Sequence, residues 1–327
     1  MTHFFPRSAP PTLLLSLSRH EDYTPLTSEE VSRAVAYSSN TSTPGPDHIL
    51  YSVWKPLHYL KSSFLPSLLD PLQAYGCHPP SLKIALGVIL NKPGKPSYDS
   101  PSSFWVIVLL RTLSKILERV VSSRPSAQDL TCSLMHPLQC GSLPGRSTSN
   151  AALVLQDHVE SFHHLRNKVS TLVLDMKGGF DNVEAATLLS LLRRKGVSPY
   201  LVQWISSFLW NCTCCLIFQG SPLTFAPISG GVPQGSPISP LLFVIYVASL
   251  NSDIPRILSI SYVDDFAITI TCPSYRTNIR LLQMALSRLM RKVSWFIITF
   301  SIPKTELIHW RTLRGNEAPC HLPGTPR

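Results

Sequence analysis

The stretch Ile257-Leu-Ser-Ile-Ser-Tyr-Val-Asp-Asp-Phe-Ala-Ile-Thr-Ile-Thr271 decides how this chain folds. Isoleucine, valine, tyrosine and threonine crowd both ends of it, and these residues suit a pleated strand. Asp264 and Asp265 stand between the two runs, where they suit a turn. The stretch therefore predicts a β-hairpin with two carboxylates at its tip. On its own, an aspartate pair there fits a solvated turn as well as a reactive site.

Further toward the N-terminus, Thr171-Leu-Val-Leu-Asp175 is another short β-run ending on a carboxylate, inside Leu174-Asp-Met-Lys-Gly-Gly-Phe-Asp181. Strands ending at Asp175 and Asp264, side by side in one sheet, would bring the two acids together. Carboxylates that close repel and raise their own pKa values unless a cation neutralises them. Hard oxygen ligands with room for water and phosphate suit Mg²⁺. Two such ions, roughly 3.5–4 Å apart, can clamp the attacking and leaving oxygens of a phosphoryl transfer.

Between these acids lies Gly230-Gly-Val-Pro-Gln-Gly-Ser-Pro-Ile-Ser-Pro240. Gly230 and Gly231 permit unusual backbone angles, and Gly235 lets a backbone pass close to a ligand. Ser239 is expected to cap the following helix, with Pro240 at its first position. The apolar run Leu241–Leu250 is that helix, too short to span a bilayer.

Elsewhere, Thr27 or Ser28 starts a helix, with Glu30 at capping-box distance from Thr27 and Val31, Ala34 and Val35 as its apolar face. Residues 43–47 form a turn, and one helix is expected over Tyr51–Leu69. Strands are expected over Ile84–Leu90, Val106–Leu110 and Cys214–Gln219, and helices over Thr112–Val121, Ala185–Lys195 and Pro199–Leu209. Helix and strand alternate without a βαβ rhythm, so the fold class is α+β.

The 327 residues carry a net charge of +10, which points to a polyanionic partner. The eight cysteines offer one close group, Cys212, Cys214 and Cys215, with no second ligand pair downstream, so neither a zinc site nor a disulfide framework is expected, and the thiols read as reduced filler inside a cell.

Ser261-Tyr-Val-Asp-Asp265 resembles the YxDD box of reverse transcriptases, and Leu174–Asp181 resembles their first catalytic box. Gly230–Pro240 resembles the GVPQGSPLSP motif of the non-LTR and group II intron enzymes. Thr43–Ile49, Asn91–Pro96, Thr112–Val121, Gln139–Thr148 and Lys304-Thr-Glu306 are similar to further segments of that family, so the resemblance covers about Pro25 to Trp310. The chain is most similar to the polymerase domain of a non-LTR (LINE-type) retrotransposon.

This resemblance implies a right-hand polymerase: fingers over 26–135 and a palm over 136–310, whose antiparallel sheet carries the catalytic aspartates. Residues 1–25 would be an N-terminal tail and 311–327 a C-terminal tail or the start of a truncated thumb, the thumb being largely absent. It implies an RNA-directed DNA polymerase adding dNTPs to a DNA primer on an RNA template. Two Mg²⁺ ions would be held by Asp175, Asp264, Asp265 and the Met176 carbonyl, with Lys304 protonating the leaving pyrophosphate. Phe180, five residues after Asp175, would be the gate against a ribose 2′-OH. Gln234 and Gly235 would meet the nucleotide or template, Lys92 and Lys95 the triphosphate, and Arg146 the template backbone. No membrane association is expected, membership in a longer polyprotein is, and the work would be intracellular, nuclear or nucleocytoplasmic.

Several positions depart from the family pattern. Trp105 and Val106 replace an arginine and a proline, Cys212 another arginine, Gly179 an alanine, and Cys140 and Ser142 two aromatic residues; Pro125 interrupts an expected helix. These departures support an alternative, a catalytically impaired remnant that only binds nucleic acid. A third reading, an RNA-dependent RNA polymerase, is disfavoured by Tyr262 in the box and Phe180 at the gate.

Overall fold

Thr27 opens the first helix, α1 (Ser28–Ala36), through the reciprocal bonds that the sequence predicts. Its hydroxyl accepts from the Glu30 amide, and the Glu30 carboxylate accepts from the Thr27 amide. Val31, Ala34 and Val35 are buried on one side of it. The single helix expected over Tyr51–Leu69 is instead two, α2 (Tyr51–Leu60) and α3 (Phe64–Ala74). Lys61 leaves helical geometry at φ −142° and ψ 81°. Restarting at Phe64 puts Pro66 in a first turn, where its missing N–H has no intrahelical partner to lose.

The computed structural model describes residue 20 and residues 23–124, 135–142, 145–228, 230–250, 257–294 and 296–311. Pro125 and most of both expected tails lie outside the described residues. The chain continues through β1 (Ile84–Asn91), β2 (Phe104–Leu109), α4 (Thr112–Ser123), β3 (Gln139–Cys140), α5 (Thr148–His164) and β4 (Lys168–Lys177). Then come α6 (Ala185–Arg194), α7 (Pro199–Leu209), β5 (Cys212–Phe218), β6 (Ser221–Ile228) and α8 (Ser239–Ala248). The last elements are β7 (Ile257–Tyr262), β8 (Asp265–Cys272), α9 (Tyr275–Val293), β9 (Thr299–Phe300) and β10 (Glu306–Trp310). This is the α+β content that the sequence predicts. No helix among the described residues is long and apolar enough to cross a membrane.

The described residues group into two compact units. One comprises those of Met1–Ser133 and Phe180–Leu242. Its sheet has the order β2-β1-β5-β6, with β1 antiparallel to β2 and parallel to β5. Ala85, Val108, Leu110, Cys214 and Leu216 form a buried apolar cluster on one face of it. Helix α1 packs on α4, and α6 on α7.

The other unit comprises the described residues of Leu134–Gly179 and Phe243–Arg327. Its six-stranded sheet runs β10-β4-β8-β7-β3, with β9 paired to β4. All its pairings are antiparallel except that of β3 with β7. Strand alternation puts Asp265, Ala267 and Thr269 on one face and Phe266, Ile268 and Ile270 on the other. Helix α9 covers the second face: Ala285 and Leu289 line a small cavity with Phe266 and Ile268, and Asn278 donates to the Lys168 carbonyl. The carboxylate side chain of Asp265 therefore projects from the face away from α9.

Candidate active site

The expected hairpin is present. Tyr262 pairs with Asp265 across β7 and β8, leaving Val263 and Asp264 as a two-residue turn. Val263 has φ 53°, a left-handed conformation that a β-branched residue adopts at a cost. Three neighbours hold it there. The Val263 amide donates to the Cys140 carbonyl at 3.2 Å, β3 pairs with the outer strand of the hairpin, and Gly141 leaves room for the valine side chain. A Cβ on Gly141, itself at φ 77°, would lie 2.6 Å from Val263 Cγ2.

Antiparallel β4 sets Asp175 directly opposite Asp265. Burial raises the pKa of Asp264 above the usual carboxylate range, and the Asp175 charge adds to this. Burial likewise raises that of Asp265, with Asp264 and Asp175 both adding to it. Lys304 opposes these effects: its Nζ lies 3.1 Å from each carboxylate oxygen of Asp175. The lysine side chain is 64% exposed, so the pair contributes little to stability. Met176 is buried and pairs with Phe300 of β9, and the Ser301 amide donates to the Asp175 carbonyl at 2.8 Å.

Among the described residues no three His, Cys, Asp or Glu side chains form a ready-made metal cage. Mg²⁺ needs no such cage, because it keeps several waters and takes one or two carboxylates together with substrate phosphates. Asp175, Asp264 and Asp265, grouped at one end of the sheet with hard oxygen donors, fit that ion. Gly179, where the resembled family has alanine, packs on this cluster: a Cβ there would lie 2.8 Å from the Phe243 ring and 3.7 Å from Asp264 Cβ. The smaller residue is matched by a large neighbour, which gives this departure a local physical reason.

The other candidate residues belong mainly to the first unit. The Val232 amide donates to the Phe180 carbonyl at 2.9 Å and the Gly231 amide to the Val183 carbonyl at 3.1 Å. Gly231, at φ 78°, comes so close that a Cβ would lie 2.9 Å from Asp181 Cα. The Gly-Gly-Val run thus lies flat on the segment carrying Phe180, which is half-buried. Burial pushes the Asp181 carboxyl up to about 6, against the pull of the Lys92 charge. Asp181 lines an open cavity with Val106, Cys212, Gly230, Pro233 and Gln234.

Two expectations for this loop are corrected. Gly235 (φ 136°) does allow a close backbone approach, but to β2 rather than to a ligand: a Cβ would lie 2.3 Å from the Val108 carbonyl oxygen. Beside it, the Val108 amide donates to the Gln234 carbonyl at 2.8 Å. Ser239 does not cap α8, and its buried hydroxyl has no hydrogen-bond partner among the described residues. The helix starts at Ser239 itself, so the capping oxygen comes from earlier: Ser236 Oγ accepts from the amides of Ile238 and Ser239, each at 3.3 Å.

The remaining candidates are spread out. Lys92 Nζ donates to the Ser102 carbonyl at 2.9 Å, and Lys95 is exposed on the same loop. Arg146, in the carboxylate unit, donates to the His136 and Gln139 carbonyls at 3.0 and 3.1 Å, so it braces its own turn. The Cys212 thiol is buried, donates to the Phe208 carbonyl at 3.1 Å, and is pushed up to about 11 by burial. Asp181 and Val263 were not singled out from the sequence. Asp181 stands in the first catalytic box, yet its high proton affinity comes from burial, which no spacing reveals. The positive φ of Val263 has no sequence signature, since turns of that kind favour glycine.

Residues 90–324 match the family model described as reverse transcriptase (RNA-dependent DNA polymerase). The probable RNA-directed DNA polymerase from transposon BS of Drosophila melanogaster is 26% identical over 309 residues, covering 92% of this chain and 34% of its own length. The RNA-directed DNA polymerase from mobile element jockey of the same organism is 27% identical over 252 residues, covering 74% of this chain and 27% of its own. The Pol polyprotein of the type-1 retrotransposable element R2 of Popillia japonica is 26% identical over 222 residues, covering 68% and 30%. The chain thus spans about a third of the length of these curated relatives.

Proposed function

Because this chain belongs to the reverse transcriptase (RNA-dependent DNA polymerase) family, we propose that it extends a DNA primer with dNTPs on an RNA template, as the polymerase region of a non-LTR retrotransposon. The observation that carries this reading is the opposition of Asp175 and Asp265 across two antiparallel strands, with Asp264 in the adjoining turn. Burial first, and the neighbouring carboxylate charges after it, raise the proton affinities of Asp264 and Asp265, a cost that a bound cation would offset. Asp175, Asp264 and Asp265 would hold Mg²⁺, with the Met176 carbonyl as a further donor. When bound, the metal supplies charge neutralisation at the phosphates and orients the attacking and leaving oxygens.

The chain's own residues have separate tasks. Lys304, already on Asp175, is placed to give a proton to a leaving group at the cluster. Phe180, pinned by the Gly-Gly-Val run, is the gate that excludes a 2′-hydroxyl. Gln234 forms the surface for the nucleotide or template base, with Gly235 letting its turn lie against β2, and Lys92 and Lys95 are point charges for the triphosphate. Arg146 contributes to template binding through the shape of the turn it braces. Fingers over 26–135 and a palm over 136–310 complete the reading.

The test is primer extension on an RNA template by the purified chain, with dNTPs and a titration of Mg²⁺. DNA synthesis that requires the metal and stops on chelation supports the proposal; synthesis indifferent to chelation contradicts it. Trp105 favours a second reading. An exposed indole stands where the resembled family has a triphosphate-binding arginine, as in a remnant that binds nucleic acid without copying it. Metal-dependent extension would remove that reading.

A further inference from the structure

Helix α4 carries a carboxylate on its buried side. Glu118 is 0% exposed, and its two oxygens accept from two hydroxyls, Ser114 Oγ at 2.7 Å and Ser236 Oγ. Ser236 lies 118 residues further along the chain, in the Pro-Gln-Gly-Ser turn. Its oxygen already accepts from the Ile238 and Ser239 amides. A hydroxyl has one proton and two lone pairs, so Ser236 is saturated, and only an acceptor can stand where Glu118 stands.

The turn is thus tethered on both sides of Gly235. On one side the Val108 amide holds the Gln234 carbonyl at 2.8 Å. On the other, Glu118 holds Ser236, which also caps α8. Packing alone gives no reason for an acid here, since a buried carboxylate is costly and an apolar side chain of similar size often serves stability as well or better. Burial accordingly raises the Glu118 pKa, with the two serine hydrogen bonds pulling it down.

We propose that Glu118 is a positioning residue, which fixes the Gln234-Gly235 turn in the pose that receives the incoming nucleotide or template base. The proposal rests on the reading that this chain carries out templated nucleotide addition. It assigns to α4 a role in nucleotide affinity through Ser236, with no contact of Glu118 to the substrate.

The experiment measures KM and kcat for dNTP in RNA-templated primer extension by the wild-type chain, Glu118→Leu, Ser236→Ala, their double variant and Glu118→Gln. Loss of the tether raises KM by up to about tenfold in each of the first two, the equivalent of one hydrogen bond. The double variant adds little to either, because both remove the same link. Glu118→Gln restores most of the affinity, since its amide oxygen faces Ser236 while its NH₂ turns to Ser114, whose oxygen accepts. A merely structural Glu118 would lower the melting temperature and the active fraction and leave KM unchanged, and that result overturns the proposal. Ser236→Ala removes one oxygen atom, so an unchanged KM there overturns it even if Glu118→Leu does not fold. A wild-type chain that makes no DNA overturns the polymerase reading, and this inference with it.

Discussion

Trp105 is 46% exposed on β2, opposite Leu90 of β1. An arginine there projects from the same strand without disturbing the core, because the inward neighbours are Val106 and Val108. A guanidinium on a triphosphate is worth about 1.5–3 kcal/mol, so Trp105→Arg should lower the KM for dNTP roughly tenfold or more; an unchanged KM would refute a triphosphate contact at this position. Asp181 gives a prediction of a different kind. Its folded-state pKa of about 6 lies above the ordinary 3.8, so between those values the folded chain binds its proton more tightly than the unfolded chain does. Stability falls as pH rises through that window and levels off above it. Asp181→Asn removes this slope, so its melting temperature should gain on the wild type from about pH 4 to pH 6. At this scale the sequence names Asp175, Asp264 and Asp265 by motif. It does not name Asp181 or Glu118, whose importance comes from burial and from partners far along the chain.

The hairpin β7–β8 was legible as an element because its strand-forming residues flank two acids, and the strand ending at Asp175 was legible in the same way. The turn between β7 and β8 was not, because its geometry depends on Gly141, which follows the distant strand β3. Gly141→Ala adds a Cβ 2.6 Å from Val263 Cγ2 at a φ of 77°. It should cost about 1–3 kcal/mol, read by denaturant titration, and should lower activity per folded molecule by displacing Asp264. A variant with unchanged stability and activity would show that the turn does not depend on this contact. Helix boundaries were less legible. The start of α8 differs by one residue from the expected start, which moved the cap from Ser239 to Ser236, and the break at Lys61 has no glycine to announce it.

At the scale of the whole molecule, 29 basic residues against 19 acidic ones give the net charge of +10, and this too makes a prediction. Affinity for an RNA–DNA duplex should fall linearly in log–log form as salt rises, by about 0.7–0.9 per phosphate neutralised. A filter-binding or fluorescence titration over a range of salt measures it, and a flat response would argue against phosphate contacts. The α+β class and the antiparallel palm sheet were legible from strand period and motif order. The grouping of Phe180–Leu242 with the first part of the chain was not, because it follows from the parallel pairing of β1 with β5, a long-range pairing that no local pattern encodes. The proposed activity depends most on the carboxylate cluster, so the most direct measurement is single-nucleotide addition to a DNA primer on an RNA template, comparing the wild-type chain with Asp264→Ala at equal folded concentration. Addition by the wild type that falls at least a thousandfold, roughly 4 kcal/mol, in the variant is the predicted result, whereas equal rates in the two proteins would contradict it.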